Sequence, residues 1–168
     1  MGTPAEARWL SSEETCSWLA LNAVMIKLPF ALDAQLQRDA GLNHFEYQVL
    51  AGLSQSPGRS MRMSDLAVLA NGSLSRLSHV VGRLEKRGWV RREPDPDDGR
   101  FTLALLTDHG WDKVVATAPG HVAAVRKYVF DALTPEQARQ LAEIGAKVIQ
   151  AIDPNDHCLE FHGPAADD

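Results

Sequence analysis

"MSDLAVLANGSLSRLSHVVGRLEKRGWVRREPDPDDGRFTLALLTDHG", residues 63–110, decides the fold. Two short apolar-periodic stretches flank Asn71-Gly72, a dipeptide that marks a tight turn. Ser64 is placed to cap the first stretch, whose inward positions are Leu66, Ala67 and Leu69. Ser73 is placed to cap the second, whose apolar stripe is Leu74, Leu77, Val81 and Leu84. Lys86 and Arg87 fall in its last turn, where cations suit the helix dipole, and Gly88 is its stop. Two short helices joined this tightly form the helix-turn-helix pattern. "WVRRE" and "FTLALLT" then read as two strands around "PDPDDGR", a loop of strong turn formers. A two-stranded ribbon is marginal alone and must lean on the helices, for which Trp89 and Val90 supply apolar surface.

Working outward, the flanks are helical. Ser11 with Glu14 fits a capping box that opens a long helix ending at Gly41. Leu21, Val24, Leu28, Leu32 and Leu36 form its stripe, widened by Leu19, Met25 and Ile26, and Pro29 should bend or divide it. Asn43 with Glu46 opens a second helix that stops before Pro57-Gly58. Beyond the ribbon, Thr107-Asp108 starts a helix to about residue 130, with a kink or break expected at Pro119-Gly120. Thr134, Pro135 and Gln137 give the last helix a clear start, and the tail from Asp153 is expected to fray. The first and last helices carry more apolar surface than solvent tolerates. An identical set from a second chain, related by two-fold symmetry, would bury it.

Charge is segregated. The chain of 168 residues has a formal net charge of -5. Between Arg59 and Arg100, nine Lys/Arg face six Asp/Glu, whereas the rest holds eight basic and sixteen acidic residues. That distribution argues against simple coating of nucleic acid and for one basic face. With the apolar stripe turned inward, Ser75, Arg76, Ser78, His79, Gly82 and Arg83 lie on the other sides of the second short helix. Small side chains allow close approach to DNA, and arginine can pair bidentately with guanine. Ser73 and Ser75 near free backbone N–H groups suit phosphate. Arginines on a lone helix often do no more than solvate it; the preceding helix, turn and following ribbon give these a direction. His79 is equally readable as a base or phosphate donor, a pH reporter or a plain exposed histidine. Arg59 and Arg62 are further candidate phosphate contacts.

The whole string resembles the MarR family of winged helix-turn-helix transcriptional regulators. The resemblance rests on the leucine-rich short helix, the serine-rich recognition helix ending in "LEKRG", the acidic "DPDDGR" tip and the "LTDHG" junction, and covers about residues 12–152. It implies a mainly α fold with a two-stranded β wing, a winged helix-turn-helix domain plus N- and C-terminal dimerisation helices. On that map, 1–58 holds the N-terminal dimerisation helix and a supporting helix. Residues 59–108 form the DNA-binding lobe, 109–152 the C-terminal dimerisation helices and 153–168 a flexible tail, all in one compact domain. The implied function is a homodimeric, cytoplasmic repressor on a pseudo-palindromic double-stranded operator, released by a small, often aromatic anionic effector. Ser73, Ser75, Arg76, Ser78, His79 and Arg83 would read the major groove. Arg100 would enter the minor groove, with Asp97 or Asp98 positioning it, and Gly99 is a small departure that should loosen the tip.

An effector cleft could be lined by Trp18, Phe30, Phe45, Tyr47 and Trp111, each of which could equally be core, with His44 or Arg38 meeting an anion. Some members of the family sense peroxides through a cysteine early in the first helix, which makes Cys16 a redox candidate. Its neighbours Glu13 and Glu14, and the absence of a nearby tyrosine, do not favour a reactive thiolate. Cys16 and Cys158 lack metal-site spacing, and a disulfide between them stays open. The six histidines form no metal-ligand motif, and no glycine-rich nucleotide loop is present, so no enzyme, metal or cofactor is expected. No run approaches eighteen apolar residues, so no membrane span is expected either. A dimeric helical adaptor without specific DNA binding is the remaining alternative.

Overall fold

Capping chemistry sets the helix starts. The structure, a computed structural model, describes residues 7–154. It opens with α1 (Ser12–Ala40), where Ser11 Oγ accepts the Glu14 amide and the Glu14 carboxylate accepts the Ser11 amide. Gly41 ends α1 at φ 64°, a left-handed conformation that favours glycine. Asn43 and Glu46 close the same reciprocal box on α2 (His44–Gln55). Four elements follow: β1 (Ser60–Arg62), α3 (Met63–Leu69), α4 (Leu74–Lys86) and β2 (Val90–Pro94). Then come β3 (Thr102–Leu106), α5 (Asp108–Tyr128), a short 3-10 turn at Phe130–Ala132, and α6 (Pro135–Ile152) with its Thr134–Gln137 box. Most of the tail expected from 153, and Cys158 with it, lies outside the described residues.

Three local expectations need correction and a fourth is extended. Neither Pro29 nor Pro119 breaks its helix. Each proline is exposed, as are Met25 and Val115, whose carbonyls lose the usual donor; water can serve them there. Ser64 does not cap α3, which starts one residue earlier because β1 runs straight into it; its hydroxyl bonds Asp65 instead. Leu74 is 54% exposed, and Val80 takes its place in the buried stripe with Leu77, Val81 and Leu84. The expected β2–β3 ribbon forms, and its sheet gains a third strand. β1 pairs antiparallel with β3, giving the order β1-β3-β2, with Ser60 opposite Leu105 and Val90 opposite Leu106. The short β1 covers an edge that β3 would otherwise leave open.

One apolar core joins α2, α3, α4 and the sheet. Leu42, Val49, Leu50, Leu53, Leu66, Leu77, Val81 and Leu84 are fully buried in it, each contributing about 1.5–3 kcal/mol through apolar burial. The supporting helix α2 is thus the floor of the helix-turn-helix. The long helices are different. In α1 only Leu32, Gln35 and Leu36 are buried, and α6 buries no residue. Leu21 and Val24 of the expected stripe stand exposed with Leu19, Met25 and Ile26, as do Leu141, Ile144 and Val148 of α6. By length and hydropathy alone α1 is apolar enough to cross a membrane, although no single apolar run in it approaches eighteen residues. Its C-terminal end, however, packs into the core through Leu36.

Candidate nucleic-acid interface

The turn between α3 and α4 is built on two backbone facts. Asn71 adopts φ 49°, and Gly72 lies against Phe45 so closely that a Cβ would sit 2.8 Å from ring atoms. Only glycine fits there without moving the ring. Ser73 Oγ then accepts the Arg76 amide and starts α4. Ser73, Ser75, Arg76, Ser78, His79 and Arg83 are all exposed. Arg76, His79 and Arg83 recur at i, i+3 and i+7 and so share one stripe.

The two arginines of that stripe are held from below. The Arg76 guanidinium lies 4.1 Å over the Phe45 ring. Arg83 Nε donates to Glu46 Oε1 at 3.1 Å. Neither partner is legible from sequence spacing: the spacing marks Glu46 as a capping acid, but its second partner lies 37 residues away.

The hairpin between β2 and β3 presents Arg100, whose side chain is 85% exposed. Its Nε donates to Asp98 Oδ1 at 2.9 Å and its Nη2 to Asp98 Oδ2 at 2.7 Å, a bidentate pair. The Arg100 side chain, then its backbone amide, hold the Asp98 carboxyl below the usual carboxylate range. Asp97 contributes its backbone N–H to Asp95 Oδ1 instead. At the hairpin base, buried Asp95 accepts Arg62 Nε at 2.7 Å, and the Arg62 guanidinium covers Phe101 at 4.5 Å. The Asp97 amide, then Arg62, depress the Asp95 carboxyl. Arg59 sits 4.0 Å over Trp111 and bonds Asp108. Arg59 and Arg62, read from sequence as phosphate contacts, therefore both brace the lobe, with side chains still 37% and 40% exposed. Arg92 ties β2 to α4 through Glu85, another contact the sequence does not announce.

Of the five effector-cleft candidates, Phe30 and Phe45 come together. They line a cleft of about 670 Å³ with Asp33, His44, Arg76 and Arg83. Trp18 is half-exposed on the outer part of α1, and Trp111 lies under Arg59. Tyr47 is buried, its ring 4.6 Å from that of His121. Burial lowers the pKa of His44, opposed by Asp33, and that of His121, reinforced by His44. Arg38 pairs with its neighbour Asp39 at the surface. Cys16 is exposed and free.

Two tightly joined helices over a three-stranded sheet, with a hairpin carrying a bidentately held arginine beyond them, define a winged helix-turn-helix protein. Comparison with known proteins narrows the class. A sequence signature of the MarR family matches residues 40–100. The chain is similar to Sco3205, a MarR family transcriptional regulator from Streptomyces coelicolor solved in complex with DNA. The identity is 50% over 89% of this chain and 94% of that one, with a TM-score of 0.85. It is 30% identical to YkoM, an HTH-type transcriptional regulator of Bacillus subtilis (strain 168), over 62% of this chain. It is 25% identical to the transcriptional repressor MprA of Escherichia coli (strain K12), over 67% of this chain. The matched segments span 66% of YkoM and 64% of MprA, just under two thirds of each. The chain belongs to the MarR family of winged helix-turn-helix transcriptional regulators, non-enzymatic DNA-binding proteins.

Proposed function

We propose that the chain is a sequence-specific, homodimeric repressor acting on a pseudo-palindromic double-stranded operator in the cytoplasm. The observation that carries this reading is the exposed stripe of Arg76, His79 and Arg83, held on α4 beside a hairpin whose only exposed guanidinium at the tip is fixed by Asp98. In this reading the serines at 73, 75 and 78 allow close approach and phosphate contact, and the arginines read base edges. Arg100 enters the minor groove, where a narrow A·T-rich tract concentrates negative potential. Arg59 and Arg62 contribute to phosphate binding only through the exposed parts of guanidinium groups already braced. Repression is supported by the likeness to MprA, a transcriptional repressor, and duplex binding by the DNA complex of Sco3205.

A small aromatic anion is the effector this geometry favours. Phe30 and Phe45 offer aromatic walls, His44, Arg76 and Arg83 offer donors, and the volume falls within the usual range for small-molecule sites. Because Arg76 and Arg83 also face the proposed duplex, occupancy of the cleft and of the operator would draw on the same side chains. Fluorescence anisotropy with duplexes from the region upstream of the gene, at a fixed moderate salt concentration, tests the function. One duplex should bind far more tightly than a scrambled duplex of equal composition, and benzoate should weaken that binding. Equal binding to every duplex would sink the repressor reading.

A further inference from the structure

An acid buried beneath a DNA-facing helix is unfavourable for affinity, since it opposes the attraction between arginine and phosphate. Glu46 is such an acid. Its side chain is 5% exposed, and both carboxylate oxygens are used. Oε2 accepts the Asn43 amide at 3.1 Å and closes the capping box of α2, while Oε1 accepts Arg83 Nε. Capping alone does not need the charge: the same box on α6 is closed by the neutral Gln137. The carboxylate of Glu46 therefore has a second task, and Arg83 is where it is spent.

We infer that Glu46 is a positioning residue for sequence readout: it holds Arg83 in one orientation and keeps it from pairing loosely with phosphates. The Nε bond to Glu46 leaves the Nη groups of Arg83 to a side chain that is 51% exposed, so the guanidinium is anchored at one edge and open at the other. A fixed, planar pair of donors is what bidentate recognition of a base requires. The anchor is itself anchored. Next to Glu46, Phe45 underlies Arg76, and the amide of His44 donates to Asp33 Oδ1 of α1 at 2.7 Å. Two consecutive residues at the start of α2, Phe45 and Glu46, thus hold both arginines of α4, and α1 holds that start through His44. Removing the charge frees Arg83 to find any phosphate, which raises general affinity and lowers discrimination.

The inference rests on the proposed operator binding, and the experiment separates the two. Duplexes are selected from a randomised library by the wild-type chain, and affinities for the selected and a scrambled duplex are measured across salt concentrations. For Glu46→Gln, the ratio of selected to scrambled affinity is expected to fall about tenfold or more. On the scrambled duplex, the slope of log K against log salt should steepen by about 0.9, the value of one added phosphate contact. Glu46→Gln/Arg83→Ala should lose that extra slope. Arg83→Lys, an exposed change that spares the buried acid its lost partner, should also lower the ratio, because an ammonium cannot both hold Glu46 and present two coplanar donors. A purely structural Glu46 would weaken both duplexes equally with no change of slope, and that result, or a wild-type ratio in Arg83→Lys, overturns the inference. If the wild-type chain selects no sequence, operator binding itself fails and the inference fails with it.

Discussion

At Asp98, a negative charge on the proposed DNA-binding hairpin works through the cation it holds. Arg100 is almost wholly exposed, and a free arginine there would sample many rotamers, all but a few lost on entering a groove. Asp98 removes that freedom beforehand by accepting Nε, Nη2 and the backbone amide of Arg100. Asp98→Asn is therefore expected to weaken operator binding several-fold although it deletes a negative charge, whereas Asp97→Asn, whose carboxylate makes no such bond, should change it little. Anisotropy at moderate salt measures both; tighter binding by Asp98→Asn would show the acid to be repulsive instead. A second residue-scale effect concerns His44 and His121, whose rings lie 6.1 Å apart, with Asp33, Gln35 and Tyr47 around them. Their folded pKa values are lowered, mainly by burial, so the unfolded chain takes up protons first as the pH falls. Stability is then full above the ordinary histidine pKa of about 6.5 and declines below it. Urea melts at pH 7.5 and 5.5 should show this loss, and His121→Gln should reduce it.

At the scale of elements, α4 distinguishes apolar residues that pack from apolar residues that merely recur. Leu77→Ala removes a fully buried side chain from the lobe core and is expected to cost about 2–5 kcal/mol. Leu74→Ala, at the exposed first turn, should stay within about 0.5 kcal/mol. Urea melts of the two variants decide it, and equal losses would restore Leu74 to the buried stripe. Features of this kind divide what the sequence discloses from what it hides. Helix starts depend on groups three residues apart, so the boxes at Ser11, Asn43 and Thr134 are legible in the sequence alone. The helix-turn-helix and hairpin are legible for the same reason: turn residues and short periods are local. β1 is not, because three residues without alternation acquire meaning only from β3, more than forty positions away. The same distance hides the candidate site's supports. Arg62 finds Asp95 33 positions on and Arg83 finds Glu46 37 positions back, so two cations readable as free are already bound. Sequence locates the outward residues and misses what holds them.

At the scale of the whole molecule, the lobe is complete in one chain and the long helices are not. α1 and α6 face each other across an apolar groove of about 840 Å³ lined by Val24, Leu28, Leu133, Leu141 and Ile144. Exposed apolar surface of this extent on paired helices suits the proposed homodimer's association face. A second copy, covering it about a two-fold axis, would also set the spacing of two α4 helices on a pseudo-palindrome. Leu141→Asp tests this arrangement cleanly, because α6 buries no residue within its own chain and the lobe core lies elsewhere. The variant should keep the far-ultraviolet circular dichroism of the wild type while sedimenting as a monomer. Operator affinity should then fall far more than any single lost contact explains, by a factor on the order of 100 or more, since the second lobe no longer binds at the high effective concentration set by the first. A duplex carrying only one half-site should bind the monomeric variant and the wild type with similar intrinsic affinity. If Leu141→Asp instead stays dimeric and retains full operator affinity, the α1–α6 groove is not the association face. If it becomes monomeric but keeps full affinity, the two lobes do not read the operator together.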